Sequence, residues 1–170
     1  MKKRLLIVGG VAGGASCAAR ARRLSEEAEI TLFDRGPHVS FANCGLPYLV
    51  GDVIKDEKAL LVATPELFKD RFNIHVRTET DVLRIDRDAR QIEVKDLRTG
   101  KVTLEPYDAL VLSPGAAPIR PPLPGIDQPG IFALRTIPDS RRIREWIAQK
   151  RVRDVVIIGG GFIGLEMAEN

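Results

Sequence analysis

Leu5-Leu6-Ile7-Val8-Gly9-Gly10-Val11-Ala12-Gly13-Gly14 is the stretch that decides the fold. Four apolar residues in a row read as a buried strand of a parallel sheet, and the glycines after them read as a tight turn opening a helix. The helix is expected to run to about Ser25. Ile30 to Phe33 then reads as a second strand, ending at Asp34. Strand, glycine turn, helix, strand and acid make a βαβ unit of the kind that binds a dinucleotide. Gly9, Gly10, Val11, Ala12, Gly13 and Gly14 would let a pyrophosphate approach the backbone, and the helix start would offer it N–H groups and a positive dipole end. Asp34 lies twenty residues after Gly14, where a carboxylate accepts from ribose hydroxyls. One position departs from Gly-x-Gly-x-x-Gly: Val11 stands where the middle glycine is usual. A plain glycine-rich turn is the competing reading, and the ordered context speaks against it.

The pattern returns near the other end of the chain. Val155 to Ile158 reads as another buried strand, and Gly159-Gly160-Gly161-Phe162-Ile163-Gly164-Leu165-Glu166 is a full Gly-x-Gly-x-x-Gly opening a helix. Gly159, Gly161, Gly164 and Glu166 are candidates for holding a second dinucleotide. Asn170 comes about two turns into that helix, before any second strand or ribose-binding acid, so this second unit is expected to be incomplete.

Between the two turns lie further elements. Thr64-Pro65-Glu66 caps a short helix to Phe72, with Thr at the N-cap and Pro at the first helical position. Ile74 to Arg77 reads as a strand. Asp81 to Asp86, Gln91 to Lys95 and Lys101 to Glu105 alternate between turns and read as an antiparallel three-stranded meander. Tyr107 to Leu112 reads as a buried apolar strand ending at Ser113-Pro114-Gly115. Pro118, Pro121, Pro122 and Pro124 make a stiff linker, and Asp139 to about Gln149 an amphipathic helix.

Ser40-Phe41-Ala42-Asn43-Cys44-Gly45-Leu46-Pro47-Tyr48 holds a cysteine with no partner at Cys-x-x-Cys spacing. Cys44 is placed near the start of a short helical segment reaching about Val50. There a thiolate gains from the helix dipole and becomes a better nucleophile at neutral pH. The other cysteine, Cys17, shares a helical stripe with Ala21, Leu24 and Ala28 and reads as a small buried hydrophobe. Ser16, Arg20 and Arg23 lie on a neighbouring face. A solvated basic face and a phosphate-binding stripe both fit them.

Composition bounds the function. The chain has 170 residues, 44% of them hydrophobic, and a formal charge of +3. That is enough for one domain with a core plus part of another, and too little charge to argue for nucleic acid. No run approaches the ~20 apolar residues of a membrane span. Met1-Lys2-Lys3-Arg4 and the apolar run after it imitate a secretory signal, but Gly9 and Gly10 cut the run short and a basic helix follows. Two cysteines give neither a disulfide framework nor zinc spacing, and no metal is expected; a reducing cytoplasm fits this usage.

Two dinucleotide turns with a lone thiol between them resemble the pyridine nucleotide-disulfide oxidoreductases. The resemblance implies an α/β fold: a Rossmann-like FAD-binding domain at 1–120 with the meander inserted, a linker and amphipathic helix at 121–150, and the start of a second Rossmann-like, NAD(P)-binding domain at 151–170. Arg35, Val82, Ser113 and Gly115 are then further FAD contacts, with NADH or NADPH on the second turn. The Ser40–Tyr48 stretch is similar to the single-cysteine coenzyme A-disulfide reductase branch, which also contains NADH oxidases and per- and polysulfide reductases. There the residue matching Cys44 is the nucleophile and rests as a mixed disulfide with coenzyme A. Residues matching Ser16, Arg20, Arg23, Ser40 and Asn43 contact that coenzyme. A further lysine of the branch falls at about Phe72, which leaves the adjacent Arg71 as the expected contact. The resemblance implies small-molecule disulfide, persulfide or polysulfide substrates and a homodimer. The 170 residues alone are expected to hold FAD weakly and to be inactive.

Overall fold

The computed structural model describes residues 2–170. In chain order its elements are β1 (Arg4–Val8), α1 (Gly13–Leu24), β2 (Glu29–Phe33), α2 (Leu46–Val50), α3 (Pro65–Phe72), β3 (His75–Arg77), β4 (Thr80–Asp86), β5 (Gln91–Asp96), β6 (Val102–Pro106), β7 (Ala109–Leu112), α4 (Ile137–Lys150) and α5 (Phe162–Glu169). They fall into two compact units. One is Met1–Phe41 with Leu61–Gly115; the other is Ala42–Leu60 with Ala116–Asn170.

The first unit is built on a parallel sheet in the order β3-β2-β1-β7. β1 pairs with β2 in the register Leu5↔Ile30 to Val8↔Phe33, and α1 makes the crossover between them. The face that α1 turns to the sheet is made of Gly14, Ala15 and Ala18, small enough for close approach. Ile7, Ile30, Leu32, Phe68 and Ile74 complete that core. Side chains of the Leu and Phe type each stabilise by about 1.5–3 kcal/mol when fully buried, as Leu32 and Phe33 are. The predicted meander is present as a separate antiparallel sheet, β4-β5-β6. Ile92 and Val94 of its central strand pack on Leu6 and Phe33, from the parallel sheet's other face. α3 starts as expected: Leu67 N–H donates to the Thr64 hydroxyl at 3.2 Å. The α/β fold class read from the sequence is thus the one observed.

In the second unit α4 opens with a capping box. Thr136 Oγ1 accepts from Asp139 N–H, and Asp139 accepts from Thr136 N–H. Ile137 and Ser140, on its first turn, are fully buried. Trp146 meets Phe132 edge-on, with ring centroids 5.8 Å apart.

Three local expectations are corrected. Residues 155–158 form no strand, and Val156 and Ile158 are 87% and 90% exposed; no other strand of the second unit is present for them to pair with among the described residues. Leu24 is 70% exposed and does not continue the stripe of Cys17, Ala21 and Ala28, which does pack on the core. It is the last residue of α1, past the sheet face it would need. β7 is an edge strand rather than a buried one: it pairs only with β1, and Leu112 is 56% exposed.

Candidate functional site

The first glycine turn is shaped by what surrounds it. Gly9 has φ +91°, and a Cβ there would lie 1.9 Å from the Ser113 carbonyl oxygen. A Cβ on Gly14 would lie 1.8 Å from the Gly9 carbonyl oxygen. Both positions exclude any side chain. Val11, where a glycine is usual, is half-buried. α1 starts at Gly13 behind Ala12, which offers no side-chain cap, and its first turn carries no acid. Such a helix start leaves amide donors and the positive dipole end open to an anion.

Asp34 and Ser113 both lie against this turn. Asp34 holds the turn: Gly10 N–H donates to its Oδ2 at 2.7 Å and Gly36 N–H to its Oδ1 at 2.8 Å. Each carboxylate oxygen keeps a further lone pair for another donor. Ser113 N–H donates to Val8 O at 2.7 Å, which sets its carbonyl against Gly9. Ser40 is tied to the turn as well. Its N–H donates to Gly10 O at 2.9 Å, and its carbonyl accepts from Val62 and Ala63. Ser40 sits at φ +48°, a conformation that costs a non-glycine residue about 1–3 kcal/mol and persists where the surroundings over-determine it. Arg35 donates to Asp81 at 2.9 Å, next to half-buried Val82. Gly115 has φ +70°.

The arginines near the end of α1 divide by role. Arg22, which the sequence reading passed over, donates to five carbonyls: Phe72, Ser25, Glu26, Ala28 and Asn73, at 2.6–3.1 Å. It closes the C-terminal ends of α1 and α3 with one guanidinium. A basic residue in a helix's last turn was the available signal. Ser16, Arg20 and Arg23 are exposed, as is Arg71 on α3, and these three arginines form no hydrogen bond or ion pair among the described residues.

Cys44 and Asn43 belong to the second unit. They form a single 3-10 turn, Asn43–Gly45, that runs directly into α2. Cys44 is exposed and free, and Cys17 is half-buried and free. Asn43 Oδ1 is a buried side-chain acceptor without a partner among the described residues. An orphaned acceptor of this kind costs about 1–3 kcal/mol and calls for a donor from outside. The second glycine turn is also here. Gly159 has φ +111°, and a Cβ on Gly164 would lie 2.1 Å from the Gly159 carbonyl oxygen. Gly161 is the N-cap of α5, and Glu166 is half-buried on that helix. Among the described residues no helix is long and apolar enough to cross a membrane, and no group of three His, Cys, Asp or Glu could hold a metal ion.

The family model described as pyridine nucleotide-disulphide oxidoreductase matches residues 3–170. The chain belongs to that family. It is 38% identical over 168 residues to the coenzyme A disulfide reductase of Staphylococcus haemolyticus, covering 99% of this chain and 38% of that protein. It therefore spans less than half the length of the curated relatives it matches. Among solved structures, reduced Bacillus anthracis CoADR-RHD is similar at TM-score 0.96 and 49% identity, over 99% of this chain and 30% of the other. The NAD-dependent persulfide reductase from A. fulgidus follows at TM-score 0.92 and 36% identity, over 98% and 31%.

Proposed function

We propose that the whole protein is an FAD-dependent NAD(P)H:disulfide oxidoreductase resembling coenzyme A disulfide reductase, with Cys44 as its single redox cysteine. The observation that carries this reading is an exposed, free Cys44 thiol; the other cysteine among the described residues, Cys17, packs on the core of the first unit. The Cys44 thiolate attacks one sulfur of a disulfide, forms a mixed disulfide with that half and releases the other half as a thiolate. With no Cys-x-x-Cys partner at this turn, the half-substrate stays covalently attached until two electrons and a proton free it as a thiol. FAD, when bound, supplies the relay of those electrons from NADH or NADPH. Persulfide and polysulfide acceptors follow the same exchange at sulfur.

The residues present fit these groups. Side chains are excluded at Gly9 and Gly14 and the start of α1 is uncapped, which suits a pyrophosphate. Gly9, Gly10, Val11, Ala12, Gly13 and Gly14 would hold it, and Asp34 would accept from ribose hydroxyls while keeping Gly10 in place. Arg35, Asn43, Cys44, Val82, Ser113 and Gly115 are assigned to FAD by resemblance. Gly159, Gly161, Gly164 and Glu166 are assigned to the nicotinamide dinucleotide. Coenzyme A is assigned to Ser16, Arg20, Arg23, Ser40, Asn43 and Arg71. Unpaired Arg20, Arg23 and Arg71 suit its phosphates, and the orphaned Asn43 acceptor suits one of its N–H or O–H donors. A homodimer in the cytoplasm, with domains divided near residues 120 and 150, completes the proposal.

Substituting Cys44→Ser in the full-length protein tests it. NAD(P)H-dependent reduction of coenzyme A disulfide is expected to fall to background; retained activity would overturn the role of Cys44. The similarity to a persulfide reductase favours a second acceptor. Turnover with coenzyme A disulfide, a persulfide and molecular oxygen, compared side by side, separates the disulfide reductase from a persulfide reductase and from an NADH oxidase that would cycle Cys44 through a sulfenic acid.

A further inference from the structure

We infer that α4 is the positioning element for Cys44, acting through Ser140, Arg141 and Arg144. The inference rests on the role proposed for Cys44 and adds what holds that thiol in place.

The Cys44 turn is short, and its own backbone does little to fix it. Gly45 N–H donates to Ala42 O at 3.1 Å, and α2 is five residues long. Isolated helices of that length do not hold themselves in water. The segment after α2 folds back over the turn. Val53 and Ile54 N–H both donate to Tyr48 O, at 2.9 and 3.0 Å, and Ala42 N–H donates to Leu60 O at 2.8 Å. Leu60 and Ile54 lie so close to Gly45 that a Cβ there would be 2.3 Å from one and 3.3 Å from the other. The residue after Cys44 is thus pressed against the returning loop.

α4 holds both ends of that loop and α2 itself. Arg141 donates to both Glu57 carboxylate oxygens, Nε at 3.0 Å and Nη2 at 2.7 Å. Arg144 Nη2 donates to Asp52 Oδ1 at 2.7 Å, while Lys55 takes Oδ2 at 2.6 Å. Fully buried Ser140 donates to Leu46 O, two residues past Cys44, over a long 3.4 Å. Burying a hydroxyl has a cost that only a partner offsets, and this one is spent on the Cys44 segment. The three residues are spaced at i, i+1 and i+4 and share one side of α4. Arg142, between Arg141 and Arg144, bonds only to Asp139 of its own helix among the described residues and is the internal control.

The test is made on the full-length protein. Removing Arg141 and Arg144 as Arg141→Ala and Arg144→Ala is expected to speed backbone amide exchange at Gly45, Gly51, Val53 and Ile54 by about two- to fivefold for each ion pair lost. It should lower kcat for disulfide reduction while leaving KM for NAD(P)H unchanged. Arg142→Ala should change neither. The swapped pair Glu57→Arg with Arg141→Glu should recover part of both effects. Equal exchange in Arg141→Ala and Arg142→Ala, or faster exchange with kcat unchanged, would overturn the inference. Failure of the underlying reading is distinguishable, because it appears as activity retained in Cys44→Ser and leaves the amide-exchange result standing.

Discussion

The two glycine turns of this chain are the same object in two settings. Gly9 and Gly159 both take positive φ, at +91° and +111°. In both turns the last glycine is pressed on the carbonyl of the first, at 1.8 Å for a Cβ on Gly14 and 2.1 Å for one on Gly164. In both, an isoleucine two residues before the first glycine lies against the last, Ile7 in one and Ile157 in the other. The settings differ. β1 runs between β2 and β7, and Ser113 closes over Gly9. Residues 155–158 pair with no strand, and nothing lies within 4 Å of a Cβ on Gly159. The turn is therefore written locally, in glycine spacing, while the strand before it exists only where neighbours accept its hydrogen bonds.

That contrast is broken or upheld most sharply at the last glycine of each turn. Gly14→Ala drives a methyl into a carbonyl that the sheet holds on both sides. It is expected to destabilise the chain by about 3 kcal/mol, at the upper end of overpacking. Gly164→Ala makes the same clash against a segment free to yield, and alanine is the better helix former. Its cost is expected to be below about 1 kcal/mol. Urea unfolding followed by circular dichroism compares the two; equal costs would mean that the second turn is as firmly held as the first.

A second difference is Asp34, which has no counterpart at the second turn among the described residues. Asp34→Ala leaves the buried Gly10 N–H without its acceptor. An orphaned buried donor costs about 1–3 kcal/mol. Asp34→Asn keeps an acceptor oxygen and should lose only part of that. Thermal unfolding of both variants checks the order. An unchanged melting temperature in Asp34→Ala would show that Asp34 has no part in holding the turn.

The contrast also explains what could be read in the residues beforehand. The βαβ unit was legible because apolar run, glycine turn, helix and acid all agree, and the meander because its alternation is interrupted by turn residues at the right places. Val155 to Ile158 misled because an apolar run carries no information about whether a partner strand is near. Leu24 misled because helical spacing does not say where the sheet beneath the helix ends. For Cys44 and Cys17, polar neighbours on one side and an apolar stripe on the other were enough to sort exposed from packed. Arg22 was illegible among three arginines within four positions, since only the fold reveals which of them meets the ends of two helices. Neither the orphaned Asn43 oxygen nor the left-handed Ser40 had a local signal, because burial of the one and the backbone bonds that hold the other are made by chain far away in sequence.

The smallest expected effect concerns how two helices begin. α1 starts uncapped and open, as an anion site would need, whereas α4 closes its own start with Thr136 and Asp139. Burial works to raise the Asp139 carboxyl. Hydrogen bonds from the Thr136 hydroxyl, from Arg142 and from the Thr136 and Arg135 amides outweigh it, and its pKa is lowered. A carboxyl lowered on folding contributes stability that is fully present above its unfolded value, about 3.9, and is lost as pH falls through the folded one. Asp52, held down first by Lys55, and Asp96, held down first by the Thr99 amide, are shifted in the same direction. These carboxyls should therefore make the chain lose stability as pH falls through their lowered values. Asp139→Asn is expected to cost about 1 kcal/mol at neutral pH, the usual worth of a cap, and to flatten the decline below about pH 4. Urea midpoints measured from pH 3 to pH 7 read both. A variant that declines in acid as steeply as the parent would show that the α4 cap is not the titrating element, and an acid placed at the start of α1 would then be the next helix start to compare.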